Sequence, residues 1–101
     1  MLTVDHLENK YIVSFYNVSK LNILNALEIE QKIIPIINRP ETNLILNFSG
    51  IKFIDSAGFE SLLKIYRTSR ISNSTFTFMN VSEDIKELIH LVELDHVFEI
   101  A

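Results

Sequence analysis

The stretch from Asn43 to Tyr66 changes its hydrophobic period once, and that change dictates a strand followed by a helix. Asn43-Leu44-Ile45-Leu46-Asn47-Phe48 is a short apolar, β-favouring run, the pattern of a buried strand. Downstream, Phe59, Leu62, Leu63 and Tyr66 fall at i, i+3, i+4 and i+7 and make one face of a helix. Phe53-Ile54-Asp55-Ser56-Ala57-Gly58 joins the two. Asp55 or Ser56 can cap the helix there, because a short side-chain oxygen accepts a bond from a first-turn N–H that has no partner inside the helix. Gly58 lets another backbone or a ligand approach that turn closely.

The same junction places one serine where the fold tolerates modification. A phosphate on Ser56 would lie near the positive end of the helix dipole, which favours an exposed negative charge by about 0.3–1 kcal/mol. Its larger effect would fall on a partner. Phosphoserine adds about −1.5 to −2 charges, here beside Asp55 and Glu60, and any interface must desolvate or repel them.

The rest of the chain reads as strands alternating with helices. Leu2, Val4 and Leu7 indicate a first strand, Glu8-Asn9-Lys10 a turn, and Tyr11 to Val18 a second strand of an N-terminal hairpin. A helix follows from Asn25 to Ile37, with Ala26, Ile29, Ile33 and Ile37 on one face; Pro35 should kink or end it, and Pro40 marks its exit. Beyond the Ser56 helix, Arg67 to Ser74 is polar, and Thr75-Phe76-Thr77-Phe78-Met79 alternates as a strand. Ser82 opens a third helix, with Glu83 and Asp84 at its positive end and Ile85, Leu88, Ile89 and Val92 as its apolar stripe. This order implies an α/β fold with a mixed sheet covered by helices. No linker or repeat interrupts it, so residues 1–101 are expected to form one domain.

Composition narrows the function. A formal charge of −4 and a pI near 5.2 argue against nonspecific nucleic-acid binding, which needs clustered Lys and Arg. A basic or polar protein partner fits better. With no cysteine, disulfides, thiolate catalysis and Cys-based zinc sites are excluded. His6, His90 and His96 have no metal-ligand spacing, so no metal and no cofactor are expected. Lys64, Arg67 and Arg70 read as a solvated helix end that suits the negative dipole. The N-terminus has no basic region leading into an apolar stretch, and no apolar run reaches the roughly 18 residues of a membrane span. A cytoplasmic protein without direct membrane insertion is expected.

Ile54-Asp55-Ser56-Ala57-Gly58 half-matches the G-x-S-x-G nucleophile elbow. Ile54 stands where the elbow needs a small residue for its strained turn, and the chain has no Gly-rich loop to supply oxyanion donors. With Gly50 and Gly58 its only glycines, it has no phosphate-cradling loop either. No catalytic residue and no enzymatic activity are expected.

The segment from Asn43 through Gly58, followed by Phe59 and the Leu62-Leu63 pair, resembles the strand, loop and phosphoacceptor helix of the STAS domain family, whose bacterial members include the anti-sigma factor antagonists. Leu21-Asn22-Ile23-Leu24-Asn25-Ala26 stands where that family often has Leu-Asp and a helix start, and Leu94-Asp95-His96-Val97-Phe98 is similar to its last short strand. The resemblance implies a STAS-like mixed sheet of four to five strands with helices mainly on one face. It makes Ser56 the phosphorylation site, and Asp55, Ser56, Ala57, Gly58, Phe59 and Glu60 the partner-binding segment. The implied function is that of an anti-sigma factor antagonist in partner switching, which binds an anti-sigma factor that is also a serine kinase while Ser56 is unphosphorylated. The alternative within the family is a non-phosphorylated structural subunit of a signalling or lipid-transport complex. Ser19 and Asn22 replace the usual Gly and Asp before the first helix, and Glu60 follows Phe59 where many relatives have Leu. The chain reaches Ala101 without the further helix that many relatives carry, which leads to an expected apolar sheet edge or face near Val97 and Phe98, covered by a partner or by a second copy in a homodimer.

Overall fold

Strand order and crossover handedness together decide which face of this sheet is buried. The computed structural model describes residues 1–101. Its elements are β1 (Leu2–Leu7), β2 (Lys10–Phe15), β3 (Lys20–Leu21), α1 (Ala26–Ile37), β4 (Asn43–Asn47), β5 (Phe53–Ile54), α2 (Ser56–Ile71), β6 (Thr75–Met79), α3 (Glu83–Leu91) and β7 (Glu99–Ile100). Five strands join in the order β1-β2-β4-β6-β7, antiparallel between β1 and β2 and parallel thereafter. From β2 onward the chain steps across the sheet in one direction, each step a crossover between parallel strands. Such crossovers are almost always right-handed, so successive steps in one direction place α1, α2 and α3 on the same face.

The burial pattern follows from that arrangement. Tyr11, Leu44 and Phe76 lie in one cross-strand row and Val13, Leu46 and Phe78 in the next, and all six are buried. Ile29 and Ile33 of α1, Leu62 and Ile65 of α2, and Ile85 and Ile89 of α3 complete the core. The alternate strand residues turn to the uncovered face. There the Asn47 side-chain amide donates to Ser14 at 3.2 Å and the Thr75 hydroxyl donates to Asn43 at 2.9 Å, which satisfies polar groups between strands. The mixed sheet with helices on one face is the architecture expected from the sequence.

Left-handed residues account for several boundaries that periodicity misplaces. Strand β2 ends at Phe15, short of the expected Val18, and Asn17 in the following bend takes φ 56°. Helix α2 runs through the polar residues after Tyr66 to Ile71, because Ser69 faces inward and is buried. Asn73 (φ 56°) then closes it, with the Ser74 N–H bonded to the Ser69 carbonyl at 2.8 Å. Glu93 (φ 61°) closes α3 in the same way, with the Leu94 N–H bonded to the Ile89 carbonyl at 2.9 Å. That closure makes Leu94 to Val97 a turn, so the last strand lies at Glu99–Ile100 and not at Leu94–Phe98. Pro35 sits in the last turn of α1, where one lost N–H is tolerated, and the helix ends two residues later at Ile37.

The region near Val97 and Phe98 does not form the exposed apolar edge expected from the sequence. Phe98 is buried, its ring 4.8 Å from that of Phe78 and edge-on to Tyr66 at 6.3 Å, while Val97 packs against the same core. The β6 alternation puts Phe78 on the helical face, and Phe98 arrives beside it from the end of the α3 turn.

Candidate functional site at the β5–α2 junction

A second, two-stranded sheet, which the sequence does not announce, builds this site. Strand β3 pairs in parallel with β5, Lys20 opposite Phe53 and Leu21 opposite Ile54. The Lys52 N–H donates to the Ser19 carbonyl at 2.7 Å, and the Asp55 N–H donates to the Leu21 carbonyl at 3.0 Å. The N-terminus of α2 is thereby tied to the turn that precedes α1.

Asp55 is the cap of α2. Its backbone is extended, its Oδ1 accepts from the Gly58 N–H at 2.9 Å, and its Oδ2 accepts from the Ile23 N–H at 3.3 Å. One carboxylate thus satisfies an orphan donor of the helix and holds the 22–25 turn against it. Asn25 shapes that turn from inside, accepting from the Asn22 N–H at 2.9 Å and donating to the Lys20 carbonyl at 2.8 Å. Ser56, the first helical residue, is exposed, and its hydroxyl makes no hydrogen bond within the chain. Sequence left the cap open between Asp55 and Ser56; the structure gives it to Asp55 and leaves Ser56 without a structural task.

The other predicted partner-binding residues divide by burial. Glu60 is exposed and Ala57 half-buried, whereas Gly58 and Phe59 are buried. Phe59 belongs to the core, as its place on the apolar helix face requires, and its side chain is buried. Gly58 acts by being small: a Cβ there would lie 2.6 Å from the Leu21 carbonyl oxygen and 2.9 Å from Ile54 Cγ2.

The structure adds residues that motif reading missed. Ile23, Leu24 and Leu27 are large apolar side chains left 76%, 90% and 63% exposed beside the α2 N-terminus. Across β5, exposed Phe53 and Leu91 line a cavity of about 290 Å³ with Lys52, Asp84, Glu87 and Leu88. Exposed apolar side chains thus occur both on the turn that Asp55 holds, at Ile23 and Leu24, and on β5 itself, at Phe53. The available signal was Ile23-Leu24, adjacent apolar residues that fit no helical or strand face.

Behind the junction, α1 and α2 are joined through a carboxylate. Ser61 is buried, and its hydroxyl donates to Glu30 Oε2 at 2.5 Å, while Lys64 Nζ lies 3.1 Å from Glu30 Oε1. The Ser61 bond, foremost, and the Lys64 charge hold the Glu30 carboxyl below its ordinary range against the opposing effect of burial. A carboxyl with a lowered folded-state pKa contributes stability that is complete above its unfolded value and lost as pH falls through the folded one. Thermal melts between about pH 3 and pH 7 should therefore show a steeper acid loss for wild type than for Glu30→Gln; parallel curves would contradict the linkage.

The sequence model of the STAS domain matches residues 4–101, and the chain belongs to that family. Among solved structures, it is similar to an anti-sigma-factor antagonist (STAS) domain protein from Planctomyces limnophilus, at TM-score 0.87 and 17% identity over 98% of this chain and 87% of that one. It is also similar to an anti-sigma factor antagonist from Mycobacterium paratuberculosis, at TM-score 0.80 and 21% identity over 99% and 83%. A third is the phosphorylated form of the Bacillus cell fate determinant SpoIIAA, at TM-score 0.72 and 17% identity over 100% and 91%. At these identities the likeness is one of fold. No helix of the chain is long and apolar enough to cross a membrane.

Proposed function

We propose that the protein is an anti-sigma factor antagonist of the partner-switching type, working in the bacterial cytoplasm. With Ser56 unphosphorylated, it captures an anti-sigma factor that is also a serine kinase and so frees a sigma factor. Phosphorylation of Ser56 ends the capture. The kinase supplies ATP and the chemistry; this chain is its substrate.

The observation that carries the reading is the exposed Ser56 hydroxyl, relieved of capping by Asp55, whose other carboxylate oxygen holds the turn that carries the exposed apolar side chains of Ile23 and Leu24. A phosphate at the first position of α2 is compatible with the helix dipole, so the fold survives modification. The same phosphate stands one turn from Glu60 and next to Asp55, and a partner seated on Ile23 and Leu24 must then desolvate a dense cluster of negative charge. Likeness to SpoIIAA, a protein known in phosphorylated and unphosphorylated forms, supports this reading.

Tandem mass spectrometry of the protein from its own host should locate a single phosphate on Ser56. In calorimetry against the anti-sigma factor, Ser56→Asp should bind at least about tenfold more weakly than wild type, about 1.4 kcal/mol. Ser56→Ala should bind but resist modification. Equal binding by wild type and Ser56→Asp would reject the mechanism.

A further inference from the structure

The outer edge of β1 is open along its whole length. β1 pairs with β2 alone, and Thr3 to Leu7 are all exposed. The direction of its free groups follows from one bond. The Tyr16 N–H donates to the Met1 carbonyl at 2.7 Å, which makes Met1 and Tyr16 a hydrogen-bonded pair of the antiparallel ladder. Because such pairs alternate, Thr3, Asp5 and Leu7 turn their backbone groups toward β2, and Leu2, Val4 and His6 turn theirs outward.

Edge strands are normally guarded by charged side chains, Lys above all, by Pro or a bulge, or are covered by another element, and Asp5 is the one carboxylate on β1. β1 contains no Lys and no Pro, and its register with β2 runs from Leu2↔Phe15 to Leu7↔Lys10 without a bulge. We propose that this edge pairs antiparallel with the same edge of a second copy of the chain, across a two-fold axis at Val4. That register sets Val4 opposite Val4, Leu2 opposite His6 and Thr3 opposite Asp5. The three outward-facing residues of each strand meet one another and form about six backbone hydrogen bonds. The Thr3 hydroxyl faces an Asp5 carboxylate, which it can serve as a donor. Centring the axis on Asp5 would also match the outward groups, but it opposes two carboxylates directly and is disfavoured.

The pairing extends each five-stranded sheet into the other, with the helices of both copies on the same side. The two-fold reverses strand direction between copies. The two Ser56 junctions, each at the C-terminal end of its parallel strands, therefore lie at opposite ends of the joint sheet. A dimer of this form presents two separate partner surfaces and uses no residue of either.

Sedimentation equilibrium of the full chain from micromolar to millimolar concentration should show the mass rising from 11.7 kDa toward twice that value. Val4→Pro removes an outward N–H and no bond of the β1–β2 ladder; it should keep the wild-type circular dichroism spectrum and stay monomeric. In this cysteine-free chain, Val4→Cys should cross-link with oxidised glutathione, since Cα atoms of a hydrogen-bonded antiparallel pair are about 5.5 Å apart, within disulfide reach. Leu7→Cys should not, because its symmetry mate lies about 20 Å along the strand. Ser56→Asp should dimerise as wild type does, whatever it does to the kinase. A monomer at every concentration, a dimer that persists in Val4→Pro, or Leu7→Cys cross-linking as fast as Val4→Cys would each overturn the proposal.

Discussion

Phe78→Ala should cost about 3–5 kcal/mol of folding stability, the range for removing a buried aromatic ring from a core. The side chain is fully buried near the C-terminal end of β6, with ring centroids of Phe48, Phe76 and Phe98 at 4.6, 5.2 and 4.8 Å. It is the one ring that touches all three, so its loss leaves a cavity that no single neighbour can fill. The rigid sheet on one side and the α2 face on the other limit collapse, which places the cost in the upper part of the range. Domains of this size have a total stability of about 5–15 kcal/mol, so the variant should be marginal at physiological temperature. Urea unfolding should show a much lower midpoint with an unchanged slope, and Phe78→Leu should recover most of the loss. A shift below about 1 kcal/mol would mean that Phe98 and the β7 edge do not pack as described.

The sequence exposed the parts of this fold that are set by local periodicity. Leu44 and Leu46, Phe76 and Phe78, the stripe of α1, and Ile85 and Ile89 of α3 face where their spacing requires, because burial on one face is what their period encodes; Val92, expected on the same α3 stripe, caps the helix after Leu91 and is exposed. The one-sided helix layer came from the family resemblance, and same-direction right-handed crossovers give its physical cause. What stayed hidden depends on single backbone conformations or distant pairings. Glu93 is not a residue that announces a left-handed helix end, so the strand expected over Leu94–Phe98 proved to be a turn followed by Glu99–Ile100. The β3–β5 pair is two residues on each side and carries no period at all. In the site, Asp55 and Gly58 were legible because capping and close approach demand those residue types, whereas Ser56 was singled out by the family resemblance and takes no part in the cap. Phe59 was claimed both for the helix's apolar face and for the partner surface, and the structure gives it to the core. Ile23 and Leu24 reach the site only because Asp55 binds the Ile23 N–H across 32 residues of sequence.

Gly58→Ala tests whether the small sheet and the N-terminus of α2 form one unit. Elsewhere in a helix this change would stabilise by about 0.5–1 kcal/mol, because alanine has the better propensity. Here the new Cβ would sit 2.6 Å from the Leu21 carbonyl oxygen, 2.9 Å from Ile54 Cγ2 and 3.0 Å from the Leu21 carbonyl carbon. Two of those atoms are backbone, and the carbonyl already accepts the Asp55 N–H, so no flexible side-chain end can swing aside. Overpacking against fixed atoms costs about 1–3 kcal/mol, and a backbone clash belongs at the top of that span, so it outweighs the propensity gain. A net loss of about 1–2 kcal/mol is expected in chemical denaturation. The strain should be relieved by moving β3 away from α2, which lengthens the Asp55–Leu21 and Ile23–Asp55 bonds and shifts Ile23 and Leu24. Amide exchange at Ile23 and Asp55 should therefore quicken while core amides of β4 and β6 slow or speed only with global stability. On the proposed function, binding to the anti-sigma factor should weaken although Ser56 is untouched. Ala57→Gly, one residue away and free of this contact, should cost about the propensity difference alone and leave the 22–25 turn in place. If Gly58→Ala proves as stable as wild type with unchanged exchange at Ile23, the turn and the helix are not coupled through Gly58, and Ile23 and Leu24 do not owe their position to the junction.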